Sequence, residues 1–326
     1  MRYKITLKPL QPFLFGGDNT YGKIGDKENG TYQTSSRYFP QQSAILGMLK
    51  KELMIQKGLL TRKIKGEWVD KHKTEEAKVF VGCEKFDITK KEPQNFGVIK
   101  NISPIFLQKE QQIIIKVANL KKFPLQKVQE NYVLKDFTAK DDIFDNYQSL
   151  DGQNNYISED IFKPINQTLN QKQASENSLY KKTSYLLKDG FSFAFFLECE
   201  YALQNSIITL GADRSSFALK VEESEEMLEY KSEHIVLLSD SLITLPLQNH
   251  CDFAITSEIS YQNIIHKKGV QKDKFTTLNS FKKSDKVYLY EKGSVIINPS
   301  QALLDNLNNK NLQQIGYNIY TTGENK

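Results

Sequence analysis

Apolar and polar residues alternate at the start of the chain, with Tyr3, Ile5 and Leu7 set against Lys4, Thr6 and Lys8, until a Gly16-Gly17-Asp18-Asn19 turn. A period of two places successive side chains on opposite faces, so residues 2–14 predict a half-buried strand that ends in a loop. The period then changes. Ile45, Leu46, Leu49, Leu53 and Met54 recur at helical spacing and Gly58 supplies a stop, which predicts a first helix over 43–57 with Ser43 at its start.

The β-rich run 79–81 predicts a return to strand, followed by strands near 102–108 and 112–117. Residues 121–178 are rich in Asn, Gln, Asp and Lys and read as an insertion. Strand patterns resume at 185–187, 191–201, 207–210, 217–221, 235–238 and 253–259, with a short helix expected at 224–230. Segments 287–290 and 294–297 flank Glu291-Lys292-Gly293 as a hairpin would, and 299–307 has a helical pattern.

Strands with few helices, spread over two halves, predict an α+β protein with antiparallel sheets, helices on one face and loop or hairpin insertions. Tandem ferredoxin-like (RRM-related) domains fit this pattern. The divisions would be 1–120 for the first domain, 121–180 for an insertion or linker and 181–326 for the second. No internal repeat marks the tandem character.

With 326 residues, 25% charged and 11% aromatic, the chain reads as globular. A net charge of +5 permits contact with phosphates but falls below the balance of a dedicated electrostatic DNA binder. The opening residues lack a signal-peptide core and the densest apolar stretch, 191–197, is too short to span a bilayer, so a cytoplasmic protein without a membrane partner is expected. Cys83, Cys199 and Cys251 are odd in number and scattered, which points to free thiols and to no zinc. Asp141, Asp142, Asp145 and Asp151 match no calcium-loop spacing and read as an exposed acidic loop.

Nucleophile elbows, Walker loops and paired-carboxylate motifs are missing from the sequence. Of the four histidines, His72, His234, His250 and His266, only His266 beside Lys267 and Lys268 suggests metal-free cleavage of RNA, and a solvated surface histidine is the commoner case. Basic residues around Trp68, in 60–73, read as a solvated loop or as a phosphate-facing patch with a stacking ring. A helix N-terminus at Ser43 would attract phosphate and Gly47 would permit close approach. Arg214, in the loop 211–216, could grip a phosphate with two hydrogen bonds. Lys292 and Gly293 form either a hairpin turn or a contact.

Five segments in order carry a family resemblance: ITLKPLQPFLFGG, YFPQQSAILGMLKKEL, LGADRSSFAL, EKGSVI and IGYNIY. Together they resemble the RAMP superfamily of CRISPR proteins, in particular the third subunit of the Cmr (type III-B) effector complex. The resemblance implies two ferredoxin-like domains, a thumb-like hairpin and a non-catalytic subunit in antiviral defence, without cofactor. That subunit would hold the repeat-derived 5′ tag of the crRNA and dock to the large polymerase-palm subunit and the RAMP backbone subunit. The implied RNA-binding positions are Arg37, Gln42, Ser43, Gly47, Lys50, Lys51, Gly211, Arg214, Ser215, Lys292, Gly293, Gly316 and Tyr317. The terminal loop departs from the family pattern, with one glycine, Gly316, where several are usual. Alternatives are a RAMP-type metal-independent endoribonuclease acting on repeat RNA, the equivalent subunit of a Csm module, or a structural subunit that touches little RNA.

Overall fold

The computed structural model describes residues 1–16, 32–61, 63–64, 67–170, 179–211, 213–267 and 280–321. The side chains of 32–33, 63–64, 67–68, 170, 179–180, 264–267 and 280–283 lie outside that description. Alternation at the start of the chain forms strand β1, Arg2–Pro9, and the helical spacing after it forms helix α1, Gln42–Gln56. Tyr3, Ile5 and Leu7 of β1 point into the same core as Ile45, Leu49 and Leu53 of α1.

The strand β1 is central in a nine-stranded antiparallel sheet. It lies between Phe191–Cys199 and Ser215–Glu223, and Phe106–Lys109 pairs on the far side of Phe191–Cys199. Numbered by order in the chain, these four strands run 2-3-1-4 across the sheet with α1 between the first and second, which is a ferredoxin-like arrangement. Gln112–Lys116, Tyr147–Ser149 and Asn155–Tyr156 extend one side, Ser206–Leu210 forms the other edge, and Ile99–Ile102 also pairs with Phe191–Cys199. The sheet therefore takes strands from all three spans that the sequence divides at 120 and 180. The reason is visible in Phe191–Cys199, whose Phe193 and Phe195 pack on the α1 side while Ala194 and Phe196 pack on the other. A strand apolar on both faces belongs in the middle of a covered sheet.

The second face of the sheet is covered by a smaller antiparallel sheet, Ile235–Val236, Val295–Ile297 and Phe253–Ile255, through Val236, Ile255, Val295 and Ile297. Helices Gln301–Leu307 and Lys310–Gln313 follow. The α+β class with antiparallel sheets and few helices is thus the observed one. Further antiparallel pairs stand on this frame. Leu125–Val128 pairs with Asn131–Leu134 within the expected insertion, and Phe162–Asn170 pairs with Leu179–Leu187, which also takes Tyr32–Ser35 as a parallel neighbour.

Three local expectations are corrected. Residues 79–81 belong to helix α2, Lys71–Val81: the Asp70 side chain accepts the Lys73 N–H at 2.9 Å as a cap, and Thr74, Ala77 and Val81 bury one helical stripe. The stretch 224–230 is not helical. Glu222, Glu223, Glu225, Glu226 and Glu229 would stack like charges three and four residues apart on a helix. In the extended form Glu225 and Glu226 instead reach Arg2 and Lys4, each at 3.5 Å. Finally, Val287–Tyr290 and Val295–Ile297 do not pair with each other. The first pairs with Glu258–Tyr261 and the second with the small sheet, so Glu291-Lys292-Gly293 links two sheets rather than turning a hairpin.

Candidate nucleic-acid interface

Pro40 precedes α1, and the N-cap is Gln41 rather than Ser43. No side chain of the cap itself accepts a hydrogen bond, and the first turn carries no acidic residue. The end of the chain closes this gap. The Ser43 N–H donates to the Tyr317 hydroxyl at 3.4 Å, and the Gln42 side-chain amide donates to the Ser103 and Ile315 carbonyls, each at 2.8 Å. Gly316 has a φ of 86°, and a Cβ there would stand 2.0 Å from Gln42 Nε2 and 2.6 Å from the Ser103 carbonyl oxygen. The single glycine of the terminal loop therefore does permit tight backbone approach, and what approaches is the Ser103 backbone together with the Gln42 side chain from the start of α1.

Several residues expected to face RNA are structural. Tyr317 is 1% exposed, stacks with Phe86 and meets Tyr261 edge-on, and burial holds its hydroxyl well above its usual pKa. It is a core residue and cannot offer its ring to a base. Lys50 is half-buried, with its ammonium donating to the Gly82 and Glu84 carbonyls at 3.3 and 2.9 Å and lying 4.7 Å from the Phe96 ring centre. Burial pushes its pKa down to about 8. It ties α1 to the loop after α2. Ser215 is buried and donates to the Pro12 carbonyl, and Gly211 lies so close to Leu14 that a Cβ would sit 2.6 Å from its carbonyl oxygen. Gly293 joins the two sheets through hydrogen bonds with Leu237 and Ala118, while Lys292, 7% exposed, lines a separate pocket with Arg37.

Other positions are open to a partner. Arg214 is exposed in a tight turn, its φ of 53° set by the bend from Gly211. Beside it, Asp213 pairs with Lys182 of the strand Leu179–Leu187. Lys51 is exposed and donates to the Thr209 hydroxyl at 3.2 Å. Gly47 is exposed on α1 with nothing within 4 Å of where its Cβ would be. A helix-interior glycine costs about 1 kcal/mol against alanine, and among the described residues no neighbour requires it.

Ser43 and Gly47 line a groove of about 710 Å³ together with apolar Leu46, Phe86, Tyr261 and Val287 and charged Lys85, Asp87 and Asp285. Asn263 and Ser284 form its far side and also the base of the ladder Ile264–Lys267 with Ser280–Lys283. The Ser284 N–H donates to the Asn263 carbonyl at 2.7 Å there. Residues 264–283 hold six lysines against one aspartate, so this segment carries +5, the same as the whole chain. The lysine excess escaped the motif-based reading, and a running charge count would have found it. The side chains of His266 and Trp68 lie outside the described residues. Of the other histidines, His250 lies 3.1 Å from the Ser300 hydroxyl, a helix cap.

The four aspartates at 141, 142, 145 and 151 accept hydrogen bonds from nearby backbone N–H groups of Thr138, Phe144, Ser158 and Gln153. Among the described residues no cluster of three or more His, Cys, Asp or Glu could hold a metal ion, the three cysteines are unpaired, and no helix is long and apolar enough to cross a membrane.

Neither the protein-family models nor the curated proteins include a match to this sequence. Solved structures do match. A chain of Type III-B Cmr-beta bound to cognate target RNA and AMPPnP is 13% identical, with a TM-score of 0.54 over 98% of this chain and 96% of that one. Type III-B Cmr-beta bound to cognate target RNA gives a TM-score of 0.50 at 13% identity over the same shares. A looser match, with a TM-score of 0.34 at 12% identity over 91% and 88%, is to a Csm1-Csm4 cassette in complex with AMPPNP. The fold of this chain is thus that of a chain of the Type III-B Cmr-beta structure across nearly its whole length.

Proposed function

We propose that this chain is a non-catalytic, cytoplasmic RNA-binding subunit of a type III CRISPR effector complex, equivalent to the third Cmr subunit. In this reading it holds the repeat-derived 5′ tag of the crRNA and docks to the large polymerase-palm subunit and the RAMP backbone subunit. The observation that carries it is the end-to-end fold likeness to a chain of Cmr-beta solved with target RNA. Two features of the surface support it: a helix glycine exposed on a groove with no described residue within 4 Å of its Cβ position, and a lysine-rich ladder that starts beside Asn263 and Ser284 of that groove. Ammonium groups on a ladder neutralise phosphates without reading bases, while a groove with aromatic walls discriminates what enters it.

The RNA contacts in this proposal come from Arg214, Lys51, the backbone around Ser43 and Gly47, and the ladder lysines Lys267, Lys282 and Lys283. Titration of the purified protein with tag-bearing guide RNA and with RNA of equal length lacking the tag tests it. Tighter binding of the tagged RNA across several salt concentrations is expected, and equal affinities would leave only nonspecific phosphate binding. Specific cleavage of repeat RNA that disappears in His266→Ala would replace this reading with the endoribonuclease one.

A further inference from the structure

Beside the segment 36–41 lies a second pocket of about 300 Å³, lined by Arg37, Lys116, Tyr185, Asp240, Glu291 and Lys292 among others. It gathers three cations and two carboxylates. Glu291 is matched to Lys116, whose ammonium lies 2.5 Å from its Oε1, and both side chains are largely buried. Asp240 accepts the backbone N–H of Lys292 at 3.1 Å. The Arg37 guanidinium donates through Nη2 to the carbonyl and hydroxyl of Ser260 at 2.5 and 2.9 Å.

Lys292 is left with little. Its ammonium donates to the Ile105 carbonyl at 3.2 Å and sits 3.8 Å from the centre of the Phe39 ring, and among the described residues no carboxylate lies within 4.0 Å of it. An ammonium has three protons to donate, and this one has a single acceptor. Even with Asp240 ionised, the pocket keeps one positive charge more than it has negative, in surroundings where a buried charge needs a counter-charge.

We propose that this pocket binds an anionic group of phosphate size, held between the Lys292 ammonium and the Arg37 guanidinium with the Lys116–Glu291 pair as its wall. The pocket is large enough for such a group, and the rings of Phe39 and Tyr185 are part of its lining. The phosphate comes from an RNA backbone or from a free nucleotide. Assigning it to RNA rests on the function proposed above, and the pocket itself does not.

The test uses the full chain. Thermal melting is followed with inorganic phosphate and with AMP at constant ionic strength, in the wild type, in Lys292→Met and in Arg37→Gln. Phosphate and AMP are expected to raise the wild-type melting temperature in a saturable way. Lys292→Met keeps the length of the side chain without its charge; circular dichroism checks that it folds, since Asp240 loses a counter-charge, and it should lose the response. Arg37→Gln should weaken phosphate binding roughly ten- to a hundredfold, as loss of a charge-assisted hydrogen bond does. No saturable shift in the wild type, or an undiminished one in Lys292→Met, overturns the proposal. Tagged RNA then separates the sources: weaker RNA binding in Lys292→Met places the phosphate on the RNA, and unchanged RNA affinity beside an abolished phosphate response assigns the pocket to a free nucleotide. A phosphate response in a protein that shows no tag preference would sustain the pocket while the proposed function fails.

Discussion

The Gln42 side chain and Gly316 touch across almost the full length of the chain: a Cβ on Gly316 would stand 2.0 Å from Gln42 Nε2, the atom that donates to the Ile315 carbonyl. The start of α1 is thereby closed by the end of the chain.

Gly316→Ala should destabilise the protein by about 2–4 kcal/mol, because the methyl meets both Gln42 and a backbone carbonyl at a φ that disfavours L side chains. Gln42→Ala should cost roughly 1–3 kcal/mol through the two carbonyls it abandons. Urea denaturation of the two variants and of their combination is the measurement. The double variant should lose less than the two single losses together, since the residues touch; additive losses would mean that the two residues do not meet in solution.

Tyr317→Ala should act on stability rather than on RNA, lowering it by about 3–5 kcal/mol as truncation of a buried aromatic does. Tyr317→Phe removes only the acceptor of the Ser43 N–H and should cost about 1 kcal/mol. Calorimetry decides, and a Tyr317→Ala protein with wild-type melting but impaired RNA binding would return this ring to the surface.

Arg214→Ala and Lys51→Ala change exposed side chains, so stability should move by less than about 0.5 kcal/mol. Removing one phosphate-neutralising charge should flatten the plot of log affinity against log salt by about 0.7 of a unit for single-stranded RNA. Replacing Lys267, Lys282 and Lys283 together should flatten it by about 2 units. Parallel salt plots for wild type and triple variant would remove the ladder from the RNA path.

Burial depresses Lys292 to about 8 from a usual 10.5, with Asp240 and Glu291 opposing the shift. Between these values the unfolded chain holds a proton on this lysine that the folded chain has released, so its contribution to stability rises with pH across that window. The wild type should therefore gain on Lys292→Met as pH goes from 8 toward 10, in denaturation at fixed temperature. A constant difference between the two proteins over that range would show that the ammonium is not buried.

The sequence made the framework legible wherever one local pattern decided the outcome. The alternation of Tyr3, Ile5 and Leu7 and the helical recurrence of Ile45, Leu49 and Leu53 each follow from the burial of one face. Where local signals competed, reading by type failed. Val79–Phe80–Val81 has strand-forming residues but sits behind an aspartate cap, and 224–230 has helical spacing but stacks glutamates. Gln42, Ser43, Gly316 and Tyr317 meet as a clamp on the start of the helix, a contact that no local pattern announces.

Sequence by itself determined the α+β class, the first strand and helix, and the uneven distribution of lysines, because these depend on periodicity and on formal charge, which are properties of neighbouring residues. Tertiary structure alone decided that Phe191–Cys199 lies beside the first strand of the chain, that Tyr317 is buried and Gly47 is not, and that Lys292 sits in a pocket with Arg37 and Asp240. Those outcomes depend on which surfaces are covered by residues far away in the chain, as with Gln42 and Ile315 at a separation of 273. Burial is a property of the packed neighbours, and no pattern within one segment of chain specifies who they are.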